Sequence, residues 1–351
     1  MKTFLQWSLY FLSLLHLQWL VAARNVGGVS KLGKCRNTIV RKEWRSLSKS
    51  ERLHYISSVQ CLLRKPGVTP PAVAPGAISR YDDLVATHIN QTMSIHFVGH
   101  FLPWHRLYTA FYEKLLREEC GYRGAQPYWD WTLDTPATKF VKSPVFDPIY
   151  GLGGNGPLIP VNASNNEAPG RTGGGCILDG PFRNMTVHLG PFASLERNDQ
   201  CLKRDLAPEY AAKYLARDKL DTVLLQSDYG WFARTLEGGI AWEDSQIHAG
   251  GHFGVGGTYG QMGDPFASPS DPIFWLHHAN LDRVWWSWQK RDLEKRLRDV
   301  SGPVVILDWV NAQGGNVTME FPLSLGFNNW DAVIEDMMDI RPLCYNYDKL
   351  Y

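Results

Sequence analysis

Asp271-Pro-Ile-Phe-Trp-Leu-His-His278-Ala-Asn-Leu-Asp282-Arg283 is the stretch from which the rest of the chain can be read. Asp271 offers a capping oxygen and Pro272 is tolerated where a helix opens. Apolar positions continue through Trp285 and Trp288, which predicts one strong helix. Its two adjacent imidazoles, His277 and His278, point roughly 100° apart, so at most one faces a shared ligand. Upstream, His248 and His252 stand at i and i+4, and on a helix both reach the same side. One metal ion could be held by that pair and one of the two.

A second cluster lies nearer the N-terminus: His88, His96, His100 and His105. Pro103 can open a helix running through Leu107, Phe111 and Leu115 to a stop at Cys120-Gly121. His105 then sits in its opening turn. His88 falls near the end of a preceding helix from Arg80 to about Ile89, and His96 in the connection. Of the eleven histidines, only His16, His54 and His188 stand outside the two clusters. A single histidine usually reads as a structural, hydrogen-bonded one. Two clusters that each give three imidazoles read instead as two three-coordinate metals with open positions.

The missing residues narrow the metal. Di-iron carboxylate bundles need glutamates in paired Glu-x-x-His units, and here Glu51 and His54 form a single copy. Zinc could occupy three histidines, but paired all-imidazole sites with little carboxylate favour copper.

Around these clusters the chain is ordinary in size and unusual in aromatics. Its 351 residues are 44% hydrophobic, 13% aromatic and 20% charged. That excludes disorder, coiled coil and collagen-like repeats. A formal charge of +1 leaves no electrostatic footprint for nucleic acid. Further helices are expected over 41–63, 207–225 and 227–236, with long surface loops over 132–200. The glycine runs from Gly151 and from Gly173 lack the strand-to-helix setting of a phosphate loop. Helices joined by long loops predict a mainly α fold with a few short strands near the termini.

Residues 1–23 read as a signal peptide, with Lys2, an apolar run over Leu9–Leu20, and small residues Val21, Ala22 and Ala23 before Arg24. The alternative, an uncleaved membrane anchor, suits a short and polar-interrupted run poorly. Six cysteines in an even set, none spaced as a zinc knuckle or redox motif, predict three disulfides. The pairing we expect, among fifteen possible, is Cys35 with Cys344, Cys61 with Cys120 and Cys176 with Cys201. Glycosylation sequons begin at Asn90, Asn162, Asn184 and Asn316.

Phe101-Leu-Pro-Trp-His105-Arg106 resembles the first copper motif of the tyrosinase and catechol oxidase family. The opening stretch resembles the second, with His248-x3-His252 upstream of it, and Pro127-Tyr-Trp-Asp-Trp131 also fits. The resemblance covers roughly residues 35–348. It implies a four-helix-bundle core holding a dicopper centre, and one catalytic domain over 24–351. The first copper would be held by His88, His96 and His105, the second by His248, His252 and His278. His100 would have a supporting or surface role, and His277 would be the non-ligand of its pair. Asp282 would orient a ligand imidazole, against the alternative of a surface ion pair with Arg283.

Other family features carry over unevenly. A cysteine that many fungal and molluscan members crosslink to a histidine is Ser94 here, so no thioether is expected. Tyr345-Asn346-Tyr347 resembles the tyrosine pair that closes the catalytic core, with Arg41 as the early arginine it meets. The larger members continue into a C-terminal shielding domain, whereas this sequence stops at Tyr351, so activity is expected without removal of a lid. Phe266 is the expected gate over the site, or else ordinary loop packing. In strongly monophenol-hydroxylating members an asparagine and a glutamate hold a water that accepts the phenol proton. Those positions are Ala249 and Glu237, the latter alternatively an exposed helix-end carboxylate.

The resemblance thus implies two copper ions, dioxygen, and oxidation of o-diphenols to o-quinones, with monophenol hydroxylation as a second activity. The substrate would be a phenolic small molecule or phenolic peptide, with no nucleic acid and no membrane once the signal is removed. A tailoring oxidase acting on a phenolic peptide or polyketide is the alternative physiological role. A dioxygen carrier of the hemocyanin type is the third.

Overall fold

The computed structural model describes residues 35, 37–160 and 167–351. The expected signal peptide and the sequon at Asn162 lie outside the described residues. Eleven α-helices are described: α1 Lys49–Arg64, α2 Arg80–Ile95, α3 Phe101–Cys120, α4 Ala137–Phe140, α5 Pro208–Tyr214, α6 Arg217–Leu224, α7 Tyr229–Glu237, α8 Ile247–Gly256, α9 Ile273–Lys290, α10 Leu293–Arg296 and α11 Ile334–Met338. The fold is mainly α, as expected, and α2, α3, α8 and α9 form the bundle that carries both histidine clusters.

Local chemistry explains where these helices start and stop. Ser48 and Glu51 form a reciprocal capping box, so α1 begins at Lys49 and not at 41. The Glu51 carboxylate is thereby occupied with Ser48, which removes it from any metal role. Ser79 and Asp82 cap α2 in the same way. That helix runs six residues beyond the expected end at Ile89, because Thr92 and Ile95 are buried on the face that carries His88. His88 therefore sits in mid-helix. Helix α3 starts at Phe101, two residues before Pro103, which places His105 in its second turn. It ends at Gly121, whose φ of 66° is the left-handed geometry a glycine supplies cheaply. The expected helix over 207–225 is two, broken at Leu215–Ala216.

The strands are short pairs. β1 (Ile39–Arg41) lies parallel to β6 (Tyr345–Tyr347), joining the two ends of the catalytic core as expected. β2 (Thr186–Val187) with β3 (Gln200–Cys201), and β4 (Pro322–Ser324) with β5 (Asp331–Val333), lie away from the termini. The stretch expected as surface loops is irregular but not superficial. Phe140, Val145, Phe146, Ile177, Phe182 and Leu189 are all buried in the main core. The three disulfides are the expected ones, Cys35–Cys344, Cys61–Cys120 and Cys176–Cys201. They agree with an oxidising compartment.

Candidate metal centre

Each histidine cluster closes into a triad. His88, His96 and His105 bring one ring nitrogen each to within 4.8 Å of one another, and so do His248, His252 and His278. His88 comes from the middle of α2, His96 from the residue that caps its end, and His105 from α3. His248 and His252 share one face of α8, and His278 arrives from α9. The triads abut: the His105 and His278 rings stack with centroids 4.5 Å apart, and His96 lies over His248 at 5.9 Å.

Backbone carbonyls fix four of the six ring orientations. Nδ1–H of His88 donates to Phe266 O at 2.7 Å, that of His96 to Thr92 O at 3.0 Å, and that of His105 to Phe101 O at 2.9 Å. In the second triad, Nδ1–H of His252 donates to Met262 O at 3.0 Å. Such bonds hold the tautomer that leaves Nε2 free to bind a metal. Nε2 of His88, His105 and His248 is buried with no hydrogen-bond partner among the described residues. Nε2 of His252 and of His278 approach to 3.1 Å. Buried polar atoms are normally satisfied, so converging orphan nitrogens fit a cation as their partner.

The electrostatics agree. Burial depresses the basicity of all six rings, helped in most of them by neighbouring imidazoles, to about 4 for His96 and about 3 for His252. Neutral imidazole is the form that ligates. The donor set is six nitrogens with no carboxylate, which fits copper.

The remaining expected residues fall as follows. His277 donates from Nε2 to His248 O at 3.0 Å and stacks on the His248 ring, so it props the triad. Gly251 makes room for it, since a Cβ there would lie 2.2 Å from the His277 ring. His100 bonds Ser94 O through Nε2 at 2.7 Å, apart from both triads. Phe266 lines the cavity beside the site and also holds His88 through its carbonyl. Ala249 lines the same cavity. Glu237 is buried, not an exposed helix-end group; Oε1 accepts from Phe97 N–H at 2.8 Å, and Oε2 has no partner among the described residues. Burial holds its carboxyl well above the usual range, against the Phe97 hydrogen bond.

Asp282 is a correction. Among the described residues it hydrogen-bonds to no histidine. Its carboxylate accepts from Arg106 Nε at 2.5 Å, Arg41 Nη1 at 3.2 Å, Tyr345 OH at 2.6 Å and Tyr347 OH at 2.5 Å. The alternative fails as well, because Arg283 pairs with Asp130 at 3.0 Å. Asp282 binds α9 to α3, β1 and β6. The expected meeting of Arg41 with the tyrosine pair is present, with Tyr347 OH at 3.2 Å. The sequence reading assigned no role to Arg106, although it follows His105 in the quoted motif. It also missed Phe97, whose N–H holds Glu237.

A cavity of about 330 Å³ opens onto the histidines, lined by His96, His248 and His252 and by Thr92, Glu237, Ala249 and Phe266 among others. Two buried imidazole triads side by side beneath a substrate-sized pocket define a dinuclear metalloenzyme of helical-bundle type.

Comparison with known proteins assigns the family. The family model for the common central domain of tyrosinase matches residues 78–291. The N-acetyl-6-hydroxytryptophan oxidase ivoB of Emericella nidulans is 36% identical over 349 residues, covering 89% of this chain and 93% of that protein. Tyrosinase P of Aspergillus terreus is 35% identical over 346 residues, with 91% and 95% covered. A polyphenol oxidase from Thermothelomyces thermophila superposes with a TM-score of 0.79 at 38% identity, covering 89% of each chain. The chain belongs to the tyrosinase family. It is a tyrosinase-like oxidoreductase whose cofactor is a type-3 pair of copper ions.

Proposed function

We propose that the protein oxidises o-diphenols to o-quinones with dioxygen, two diphenols giving two quinones and two waters. His88, His96 and His105 would hold one copper, and His248, His252 and His278 the other. The copper pair, when bound, supplies the dioxygen and electron-transfer chemistry. The protein supplies the rest: carbonyl-fixed imidazoles, a buried site that excludes water, and a cavity that presents a phenol to the ligand nitrogens. The observation that carries this reading is the convergence of unpartnered Nε2 atoms beside that cavity.

Phe266 would gate the ring's entry, a reading supported by its position at the cavity wall and its tie to His88. A phenol has an ordinary pKa of about 10 and must lose its proton to bind a metal well. Glu237 offers the carboxyl that could take that proton through a water, but Ala249 has no polar atom to position the water. Diphenols, with a second chelating oxygen, depend on this less. The expected order is therefore catechols ahead of tyrosine-like monophenols.

A biosynthetic role is the second reading. The Emericella nidulans relative is named for a modified hydroxytryptophan, which supports a phenolic intermediate, not free tyrosine, as the physiological substrate. Three disulfides, with residues 1–23 read as a signal, support folding in the secretory pathway. Residues 24–351 would then form one catalytic domain. The test is a panel of catechols, monophenols and aminophenols on copper-loaded protein. Reversible dioxygen binding without turnover of any of them would instead give the carrier reading.

A further inference from the structure

The cavity over the histidines is built from groups of one kind. Among the described residues that line it, the imidazoles and Glu237 are the only titratable side chains, and no lysine or arginine is included. The buried floor holds the histidines and Glu237. The mouth is apolar and exposed: Met93 is 60% accessible, Ile240 77% and Leu307 45%. Phe97, Phe253, Pro265 and Ile306 continue the apolar lining between the two.

This rim is held in place. Leu307 N–H donates to Phe97 O at 3.1 Å, and Phe97 N–H donates to Glu237 at 2.8 Å. Leu307 (φ 60°) and Phe97 (φ 54°) both occupy the left-handed region, which is disfavoured for residues with a Cβ and persists where surroundings fix it. A hydrogen-bonded chain thus runs from the floor carboxyl to an exposed leucine at the entrance.

We infer that the substrate is a diphenol carrying an uncharged hydrocarbon substituent, which packs on Met93, Ile240 and Leu307 as the ring reaches the histidines. This rests on the proposed oxidase reading. An amino acid or other carboxylate would find no cation along the described lining. A hydrocarbon chain would cover apolar surface that otherwise faces water, at roughly threefold to fourfold per buried methylene.

The experiment compares KM values of copper-loaded enzyme for 4-methylcatechol, 4-butylcatechol and 3-(3,4-dihydroxyphenyl)propionate. The butyl compound should show a KM about tenfold below the methyl one, because the rim covers only part of the chain. The propionate should show a KM no lower than the methyl compound. The Ile240→Ser/Leu307→Ser double variant, altered at exposed positions, should lose most of the butyl advantage. A butyl advantage under threefold, a propionate KM below that of the methyl compound, or an unchanged ratio in the double variant would each overturn the inference while leaving the oxidase reading intact. Failure to oxidise any of the three would bring down the oxidase reading itself.

Discussion

At the scale of single residues, the proposed proton removal turns on Glu237 and Ala249, which line the same cavity. The buried carboxyl is present and the amide that would partner it is not, so proton removal from a monophenol is poorly supported. Ala249→Asn should raise the monophenol hydroxylation rate about tenfold, below the 10²–10⁴ of a complete general base, and shorten the lag on tyrosine-like substrates. An inert variant, alongside a wild type that already hydroxylates without a lag, would show that the proton leaves by another route. A different residue reports on pH. His188 donates to Asp82 at 2.9 Å, and that bond raises its basicity against partial burial. A raised folded pKa gives stability that is full below the ordinary value of about 6.5 and is lost as pH rises through the folded value. His188→Gln should therefore be most destabilising in acid and nearly neutral above that window. A destabilisation that grows with pH, measured by urea unfolding, would contradict this.

Packing between elements depends on contacts that spacing alone did not reveal. Asp282 stands one turn after His278, which made an imidazole contact plausible in sequence. In the fold its carboxylate is taken up by Arg41 and Arg106, partners 241 and 176 residues distant. Burial works against its ionisation, but Arg106 and Arg41 outweigh that and keep it charged. Asp282→Asn would leave the buried Arg106 without a carboxylate and Arg41 with Glu113 alone, and should cost about 3–5 kcal/mol in chemical denaturation, with copper content retained. Loss of copper at unchanged stability would restore the imidazole-orienting role. Gly251 tests the α8–α9 contact, for an added methyl must displace His277. Gly251→Ala should cost about 1–3 kcal/mol by overpacking and weaken copper binding in the second triad. Copper affinity equal to wild type would show that His277 does not prop His248.

At the scale of the molecule, the six histidines of the two triads and the helices that carry them were legible because period and motif coincide there. His248 and His252 needed only the i, i+4 rule, and Cys120-Gly121 marked a real helix end. Boundaries governed by tertiary burial were not legible. The continuation of α2 past Ile89 depends on Thr92 and Ile95 finding a core, and the buried aromatics of 132–200 follow no helical or strand period. The apolar rim was invisible too, since Met93, Ile240 and Leu307 come from three separate segments. What joins all scales is the claim that two triads hold two coppers and oxidise catechols. The direct measurement is copper per chain together with catechol oxidation, in the wild type and in His105→Ala, His278→Ala and His100→Ala. The account predicts two coppers and activity in the wild type, copper loss and no oxidation in the first two variants, and most activity kept in the third. One metal per chain, full zinc occupancy with activity retained, or an inactive His100→Ala with normal copper would contradict it.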